Sequence, residues 1–169
     1  MSSPEPFNIV LVGESKVGKT CLCSQIQEGK FNPNTEPSTN TYLITKEIKL
    51  SDNSSISLEF VDTTGVEKYK KLSRIFTKKA NAIILMYDRT NENSFKELKT
   101  FWYDSIKDFG AILFVVANKI DLDDQKVKDE EGKEFAERIG ANFFSISVKD
   151  NIGISNLVDK IVETSKKNK

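Results

Sequence analysis

The sequence contains no histidine among its 169 residues. Catalysis by imidazole is therefore excluded, and so are most zinc sites, because histidine is among the commonest zinc ligands. The two cysteines, Cys21 and Cys23, lie too close together on a predicted helix to form a disulfide of ordinary geometry. We therefore expect free thiols in a reducing compartment, with any chemistry carried by carboxylates, hydroxyls, lysines or backbone groups.

Net charge and long apolar segments are absent as well. Basic and acidic residues number 25 each, so the charge gives no indication of a nucleic-acid partner, and we predict none. No apolar run approaches the ~20 residues that a membrane-spanning helix requires. The start is polar and residues 166–169 include no cysteine for prenylation. We therefore expect no signal peptide, and membrane contact only through a lipidated tail outside this chain.

Strand and helix patterns alternate along the whole chain. Residues 82–87 form a short, wholly apolar run of the kind that is buried on both faces of a parallel sheet. Residues 55–61 alternate instead, and with residues 42–50 they predict a hairpin. The apolar side chains of residues 93–108 recur at helical spacing.

These patterns predict the order of the elements. Strands are expected at residues 7–12, 42–50, 55–61, 82–87, 111–117 and 142–146, and helices at residues 21–28, 93–108, 128–139 and from about 154 onwards, with a further helix within 65–79. The fold class is therefore α/β, with a six-stranded, mostly parallel sheet, one antiparallel strand and helices on both faces. We expect a single domain over residues 1–169, with its core at about 7–166.

Residues 13–20, GESKVGKT, follow the first predicted strand directly and match the P-loop pattern G-x-x-x-x-G-K-[ST]. Gly13 and Gly18 let the backbone turn and approach a ligand closely. Successive N–H groups then point inward and bind an anion at the start of the next helix. Lys19 is predicted to reach the outer phosphates, and the hydroxyl of Thr20 to bind Mg²⁺.

Asp62-Thr63-Thr64-Gly65 ends the third predicted strand. A carboxylate at this place can hold Mg²⁺ through a water molecule, opposite the P-loop hydroxyl. Gly65 lets the backbone approach a terminal phosphate and donate its N–H group. An ordinary strand end would also fit the four residues, and the pairing with the P-loop is what favours a metal site at Asp62.

Asn118-Lys119-Ile120-Asp121 follows the fifth predicted strand. The carboxylate of Asp121 can accept hydrogen bonds from the N1–H and 2-amino groups of guanine, and adenine has neither donor there. The stem of Lys119 can cover a ring face, while Asn118 ties loops together. Because ligands of such sheets bind beyond the carboxyl ends of the strands, we expect Asp62, Asp88 and Asn118 to converge on one site.

The four motifs GESKVGKT, DTTG, NKID and SVK resemble, in their order and spacing, those of Ras-superfamily small GTPases, and most closely those of the Rab branch. Residues 76–95 and 135–149 also resemble Rab segments, and the likeness covers residues 7–166. The resemblance implies the P-loop G-domain fold, GTP and GDP as ligands together with Mg²⁺, and hydrolysis of GTP to GDP and phosphate.

The resemblance also implies which residues bind the nucleotide. A backbone N–H group of Val148 would bind guanine O6, and Phe31 would stack edge-on against the base, with a core aromatic as an equal alternative for Phe31. The charge of Lys16 either contacts the outer phosphates or stays solvated, and we favour solvation. The full implied set is Ser15, Lys16, Val17, Gly18, Lys19, Thr20, Cys21, Phe31, Gly65, Asn118, Lys119, Asp121, Ser147, Val148 and Lys149.

In this family a threonine of switch I, the segment between the first helix and the second strand, binds Mg²⁺ and the γ-phosphate. Counting back from Asp62 gives Thr39, and counting forward from Thr20 gives Ser38. We choose Thr39, with Ser38 and Thr41 as alternatives. The metal ligands implied by the resemblance are Thr20, Thr39 and Asp62, and the catalytic groups are Lys19, Gly65 and Thr39.

The sequence departs from the family pattern at the catalytic glutamine, where it has Val66. That glutamine orients the attacking water, and a valine has no group that can do so. We therefore predict slow intrinsic hydrolysis, unless Glu67 or a side chain of a partner substitutes. One alternative is a GTP-binding interaction module that does not hydrolyse its ligand, and another is a P-loop kinase that uses ATP.

The resemblance implies partners as well. Effector proteins would read the two switch segments, and an exchange factor and a GTPase-activating protein would set the nucleotide state. We expect a monomer with a role in vesicle trafficking, cytoplasmic and peripheral to endomembranes. The run Asn40-Thr41-Tyr42-Leu43 departs from the Ile-Gly-Val-Asp-Phe that is usual in the Rab branch.

Overall fold

The computed structural model describes residues 5–31, 42–63 and 79–167. The strands are β1 (Phe7–Val12), β2 (Tyr42–Lys49), β3 (Ser55–Asp62), β4 (Ala82–Asp88), β5 (Ile112–Asn118) and β6 (Asn142–Ser145). The helices are α1 (Lys19–Glu28), α2 (Glu92–Glu97), α3 (Tyr103–Ile106), α4 (Asp129–Ile139) and α5 (Ile154–Lys167). A π-helical segment, Leu98–Trp102, joins α2 to α3. The helix predicted within residues 65–79 falls almost wholly outside the described residues.

The six strands form one sheet in the order β2-β3-β1-β4-β5-β6. Strands β2 and β3 pair antiparallel as a hairpin, and every other neighbouring pair is parallel. The predicted α/β fold is therefore confirmed, and its one antiparallel strand, β2, is the outermost strand beside β3. All seven residues of β4 are buried, which explains why that strand has no polar face in the sequence.

Two apolar cores lie on opposite faces of the sheet. Ile9 and Leu11 of β1 pack with α1 and α5, whereas Val10 and Val12 pack with α2, the π-helical segment, α3 and α4. This division follows from the alternation of side chains along a strand. Helices on both faces are thus confirmed. No helix in the described ranges is both long and apolar enough to cross a membrane.

The prediction of one regular helix at residues 93–108 is wrong in the middle of that range. The backbone N–H of Tyr103 donates to the carbonyl of Leu98, five positions back, and this is the hydrogen bond of a π-helix rather than an α-helix. The π-helical turn contains a residue whose contact with the P-loop cannot be predicted from the apolar spacing of the sequence. The indole N–H of Trp102, which is 1% exposed, donates to Oε1 of Glu14 in the P-loop at 2.9 Å.

Helix α1 begins two residues earlier than predicted. Gly18, with φ 111°, precedes it directly, so that Lys19 and Thr20 are already helical. The helix ends at Gly29 as predicted, where φ is 69° and the N–H donates to the carbonyl of Gln25 at 2.9 Å. The early start matters because it places the motif's lysine and threonine at the helix N-terminus.

Candidate functional site

The carboxyl ends of four strands meet at one edge of the sheet. There β1 leads into the P-loop, and β3, β4 and β5 end at Asp62, Asp88 and Asn118. The neighbouring parallel pairings of these strands bring all four ends together, as predicted from their apolar runs. The polar groups of this edge build a phosphate end around the P-loop and a base end around Asn118.

The P-loop fits against β4 and β5 only because two of its residues lack a side chain. A Cβ atom on Gly13, where φ is 147°, would lie 2.2 Å from the carbonyl oxygen of Met86. A Cβ atom on Gly18, where φ is 111°, would lie 2.3 Å from Nδ2 of Asn118. Both positions combine a left-handed backbone with a contact too close for any larger residue.

Lys16 occupies the left-handed region without being glycine, with φ 69°. Such a conformation costs a non-glycine residue roughly 1–2 kcal/mol. Its side chain is exposed, and its carbonyl accepts a hydrogen bond of 2.9 Å from Nζ of Lys119. The backbone of Lys16 thus joins the P-loop to the base end.

Lys19 is a buried cation at the centre of the phosphate end. It is 5% exposed, and its Nζ donates to the carbonyls of Gly13 and Glu14 at 2.9 and 2.8 Å. Burial lowers its pKa to about 8, and the charges of Asp62 and Glu14 oppose that change. The ammonium is therefore costly to bury, and an anionic ligand at the loop would stabilise it.

Thr20 and Asp62 bring two oxygen atoms side by side at the phosphate end. Oγ1 of Thr20 donates to Oδ2 of Asp62 at 2.5 Å, and Asp62 is 0% exposed. Oxygen atoms of this kind are the ligands that Mg²⁺ prefers. The described residues therefore fit the predicted magnesium site. The third predicted ligand, Thr39, and its alternatives Ser38 and Thr41 lie outside the described residues, as does Gly65.

At the base end, Asn118 connects three segments. Its Nδ2 donates to the carbonyl of Val17 at 2.8 Å, and its Oδ1 accepts from the N–H of Val148 at 3.1 Å. This is the tie between loops expected of Asn118. The N–H proposed to meet guanine O6 is therefore already hydrogen-bonded within the protein, and the Val148 side chain, 1% exposed, belongs to the core that contains α1.

Asp121 and Lys119 are held by neighbours that fix their directions. Oδ1 of Asp121 accepts from Oγ of Ser147 at 2.8 Å. Nζ of Lys119 pairs with Oδ2 of Asp88 at 2.9 Å, and Asp88 is itself 7% exposed. The carboxylate and the long lysine stem proposed to meet the base are thus both oriented by side chains of neighbouring segments.

The remaining predicted residues are placed as follows. Phe31 is partly buried against the core that contains α1, and so is Cys21. Both thiols are free, as expected, and burial raises the pKa of Cys23. Ser15 is partly exposed, Val17 is buried and Lys149 is exposed. The packing of Phe31 satisfies the core alternative without excluding a contact with the base.

Two residues that support this edge, Gln25 and Arg89, were not singled out from the sequence. Nε2 of Gln25 donates to the carbonyl of Val148 at 2.8 Å across 123 positions of sequence. Nη2 of Arg89 donates to the carbonyl of Ile120 at 3.1 Å. No local pattern reveals these bonds, because each joins segments that only the folded sheet brings together.

Comparison with known proteins agrees with this arrangement. The family model described as "Ras family" matches residues 8–167. This chain belongs to the Ras family. It is 33% identical to Ras-related protein Rab-3A of Homo sapiens over 161 residues, which cover 93% of this chain and 72% of that protein. It is 34% identical to Ras-related protein Rab-21 of Mus musculus over 166 residues, 94% of this chain and 74% of that protein.

A third relative has the same character. Ras-related protein RabC of Dictyostelium discoideum is 31% identical over 162 residues, which cover 93% of this chain and 82% of that protein. The predicted membership is therefore confirmed: the chain is a divergent, Rab-like small GTPase of the Ras family. The P-loop and the base end of this Ras-family chain occupy the edge of the sheet at which its strand ends converge.

Proposed function

We propose that this Ras-family chain is a guanine-nucleotide-dependent switch that binds GTP and GDP together with Mg²⁺. One observation carries the proposal: the Asn118 side chain bonds both to the P-loop and to the loop that contains Ser147. A cation for phosphates and an acceptor for the guanine edge are therefore held on one edge of the sheet, on segments joined to each other.

At the phosphate end, Lys19 would donate to the outer phosphates, exchanging its bonds to neutral P-loop carbonyls for bonds to charged phosphate oxygens. Successive backbone N–H groups of the loop and of the first turn of α1 would bind the remaining phosphate oxygens. Thr20 and Asp62 would hold Mg²⁺, which neutralises charge that develops on the phosphates. A buried lysine of lowered pKa gives such a ligand a strong partner.

At the base end, Asp121 would accept from the N1–H and 2-amino groups of guanine. Ser147 orients this carboxylate, so little rearrangement is needed on binding. Adenine would leave the carboxylate without a donor, and a polar site rejects such an analogue strongly. We propose discrimination against adenine nucleotides on this basis, and it disfavours the kinase alternative.

Hydrolysis of GTP is proposed to be slow. Lys19, Gly65 and Thr39 would stabilise the charge that builds up as water attacks the γ-phosphate in line. Val66, which like Gly65 and Thr39 lies outside the described residues, cannot orient that water, because its side chain has no polar atom. The intrinsic rate is therefore expected to be limited by a water that no side chain at position 66 holds.

A single-turnover measurement of phosphate release tests this proposal. The full chain, preloaded with GTP, is compared with Val66→Gln, and we expect faster release from the variant. Equal rates would contradict the assigned role of Val66. Dissociation of GDP, measured in parallel, separates a change in chemistry from a change in nucleotide binding.

The second candidate function is a GTP-binding interaction module without hydrolysis, and Val66 is the observation that favours it. In that case the parent binds GTP and releases no phosphate above the uncatalysed rate. We further propose effectors that read the switch segments, an exchange factor and a GTPase-activating protein. We also propose that the protein is a monomer and that it acts in vesicle trafficking at the cytoplasmic face of endomembranes. These proposals rest on the resemblance to Rab proteins.

A further inference from the structure

We propose that Arg89 is a positioning residue for guanine selection, holding the segment 118–121 so that Asp121 faces the base. This inference rests on the proposed function. Arg89 lies outside the four sequence motifs, and its role would be to keep the carboxylate of Asp121 in position. Arg89 itself would not touch the nucleotide.

The side chain of Arg89 reaches the middle of the recognition segment. It is largely buried, with 16% of its surface exposed. Its Nη2 donates to the carbonyl of Ile120 at 3.1 Å. Ile120 lies between Lys119 and Asp121, so a bond to its carbonyl restrains the backbone on both sides at once.

The backbone of Arg89 restrains the same region from a second direction. Its N–H donates to the carbonyl of Asn118 at 3.2 Å, and its carbonyl accepts from the N–H groups of Lys126 and Val127 at 2.9 and 3.0 Å. Residues 119–128 contain neither helix nor strand. Arg89 therefore bonds near the start and near the end of an irregular loop whose shape depends on such contacts.

The other side of the guanidinium faces a carboxylate of helix α4. Nη1 of Arg89 lies 3.8 Å from Oδ1 of Asp129, at the start of α4. Different nitrogens of one planar group thus face the recognition loop and the helix that follows it. A lysine has a single nitrogen and cannot reproduce this arrangement, so the two cations are not equivalent here.

A positioning role makes a prediction that a merely structural role does not. Loss of a structural contact lowers stability and weakens the binding of all nucleotides alike. Misalignment of Asp121 instead weakens GDP more than inosine diphosphate, because inosine lacks the 2-amino group and makes one contact fewer with the carboxylate. The ratio of the two dissociation constants therefore separates the two roles.

The test uses the full chain with Mg²⁺ and measures dissociation constants for GDP and inosine diphosphate by competition. In Arg89→Met, which keeps the length of the side chain but has no donor, we expect the preference for GDP to fall by about tenfold. In Arg89→Lys we expect a fall of about threefold. Arg138→Met removes the arginine that packs on Phe135 in α4 and should keep the parent ratio.

Two results would overturn the inference. One is an Arg89→Met variant whose ratio of dissociation constants for GDP and inosine diphosphate equals that of the parent, even if both affinities or the melting temperature fall. If Arg89→Met does not fold, Arg89→Lys retains the charge beside Asp129, and an unchanged ratio in that variant also overturns the inference. A parent chain that binds no GDP would instead refute the proposed function, so the two failures are distinguishable.

Discussion

The two ends of the site are built by different means. At the phosphate end the proposed ligand groups are backbone N–H groups and a buried lysine, and the two P-loop glycines pack where a Cβ atom would lie about 2 Å from its neighbour. At the base end Asp121, Lys119 and Asn118 are each held by bonds to other segments. The phosphate end depends on shape and charge, and the base end on a network of polar side chains.

The difference shows which property each end controls. In the proposed function, the buried cation Lys19 would supply affinity for any polyphosphate of the right length, without selecting the base. The carboxylate of Asp121, whose direction is fixed beforehand, would supply selection, because a wrong base leaves it without donors. Mutations at the two ends should therefore separate affinity from specificity.

The largest effect is expected for Lys19→Met. Loss of two or more charge-assisted hydrogen bonds should weaken GDP binding by about 10²–10³-fold. The free energy of unfolding of the nucleotide-free chain should change little, because loss of the attraction to buried Asp62 offsets the removal of a charge that is costly to bury. Titration with GDP and denaturant unfolding measure the two quantities. Lys133→Met, at an exposed position of α4, is the matched control and should change neither.

The second-largest effect is expected for Asp121→Asn at the base end. Asp121→Asn replaces the acceptor proposed to face the 2-amino group by a side chain that can also donate. GDP affinity should fall by about a hundredfold, while xanthosine diphosphate, with a keto group at that position, should gain affinity. Competition binding of the two nucleotides tests this. Equal losses for both would contradict a direct contact between Asp121 and the base.

The pH dependence of stability tests the buried state of Lys19. Its pKa is about 8 in the folded chain, against an ordinary lysine value of 10.5. Between these values the unfolded chain binds more protons, so stability rises with pH over that window. The free energy of unfolding of the nucleotide-free parent, relative to Lys19→Met, should therefore increase by about 1–3 kcal/mol from pH 8 to 10.5. A constant difference would contradict the burial of this cation.

The smallest effect is expected at the contact between Trp102 and Glu14. Trp102→Phe removes the indole donor and should cost about 1–2 kcal/mol of stability. We expect GDP affinity to fall severalfold with no change in the preference for GDP over inosine diphosphate, because the bond reaches only the phosphate end. Glu14→Gln keeps an acceptor oxygen and should stay close to the parent. A changed base preference in Trp102→Phe would contradict the independence of the phosphate end and the base end.

The sheet, the P-loop and the convergence of strand ends could be predicted because their signals are local. The apolar run of β4 and the glycine spacing of the loop each lie within one segment. The π-helical turn could not be predicted, because one extra residue in a turn leaves the apolar periodicity almost intact. It accompanies a bond between residues 88 positions apart in the sequence.

The supports of the base end also escaped prediction, for a related reason. Gln25 and Arg89 act through side-chain bonds to the carbonyls of Val148 and Ile120. A carbonyl belongs to every residue, so no residue type marks the acceptor. Such bonds become visible only when the register of the sheet is known.

The most direct test of the account is a titration of the full chain with GDP and with ADP, each with and without Mg²⁺. We expect that GDP binds, that Mg²⁺ strengthens this binding, and that ADP binds at least about a thousandfold more weakly. Equal affinities for the two nucleotides, or no binding of GDP in the presence of Mg²⁺, would contradict it.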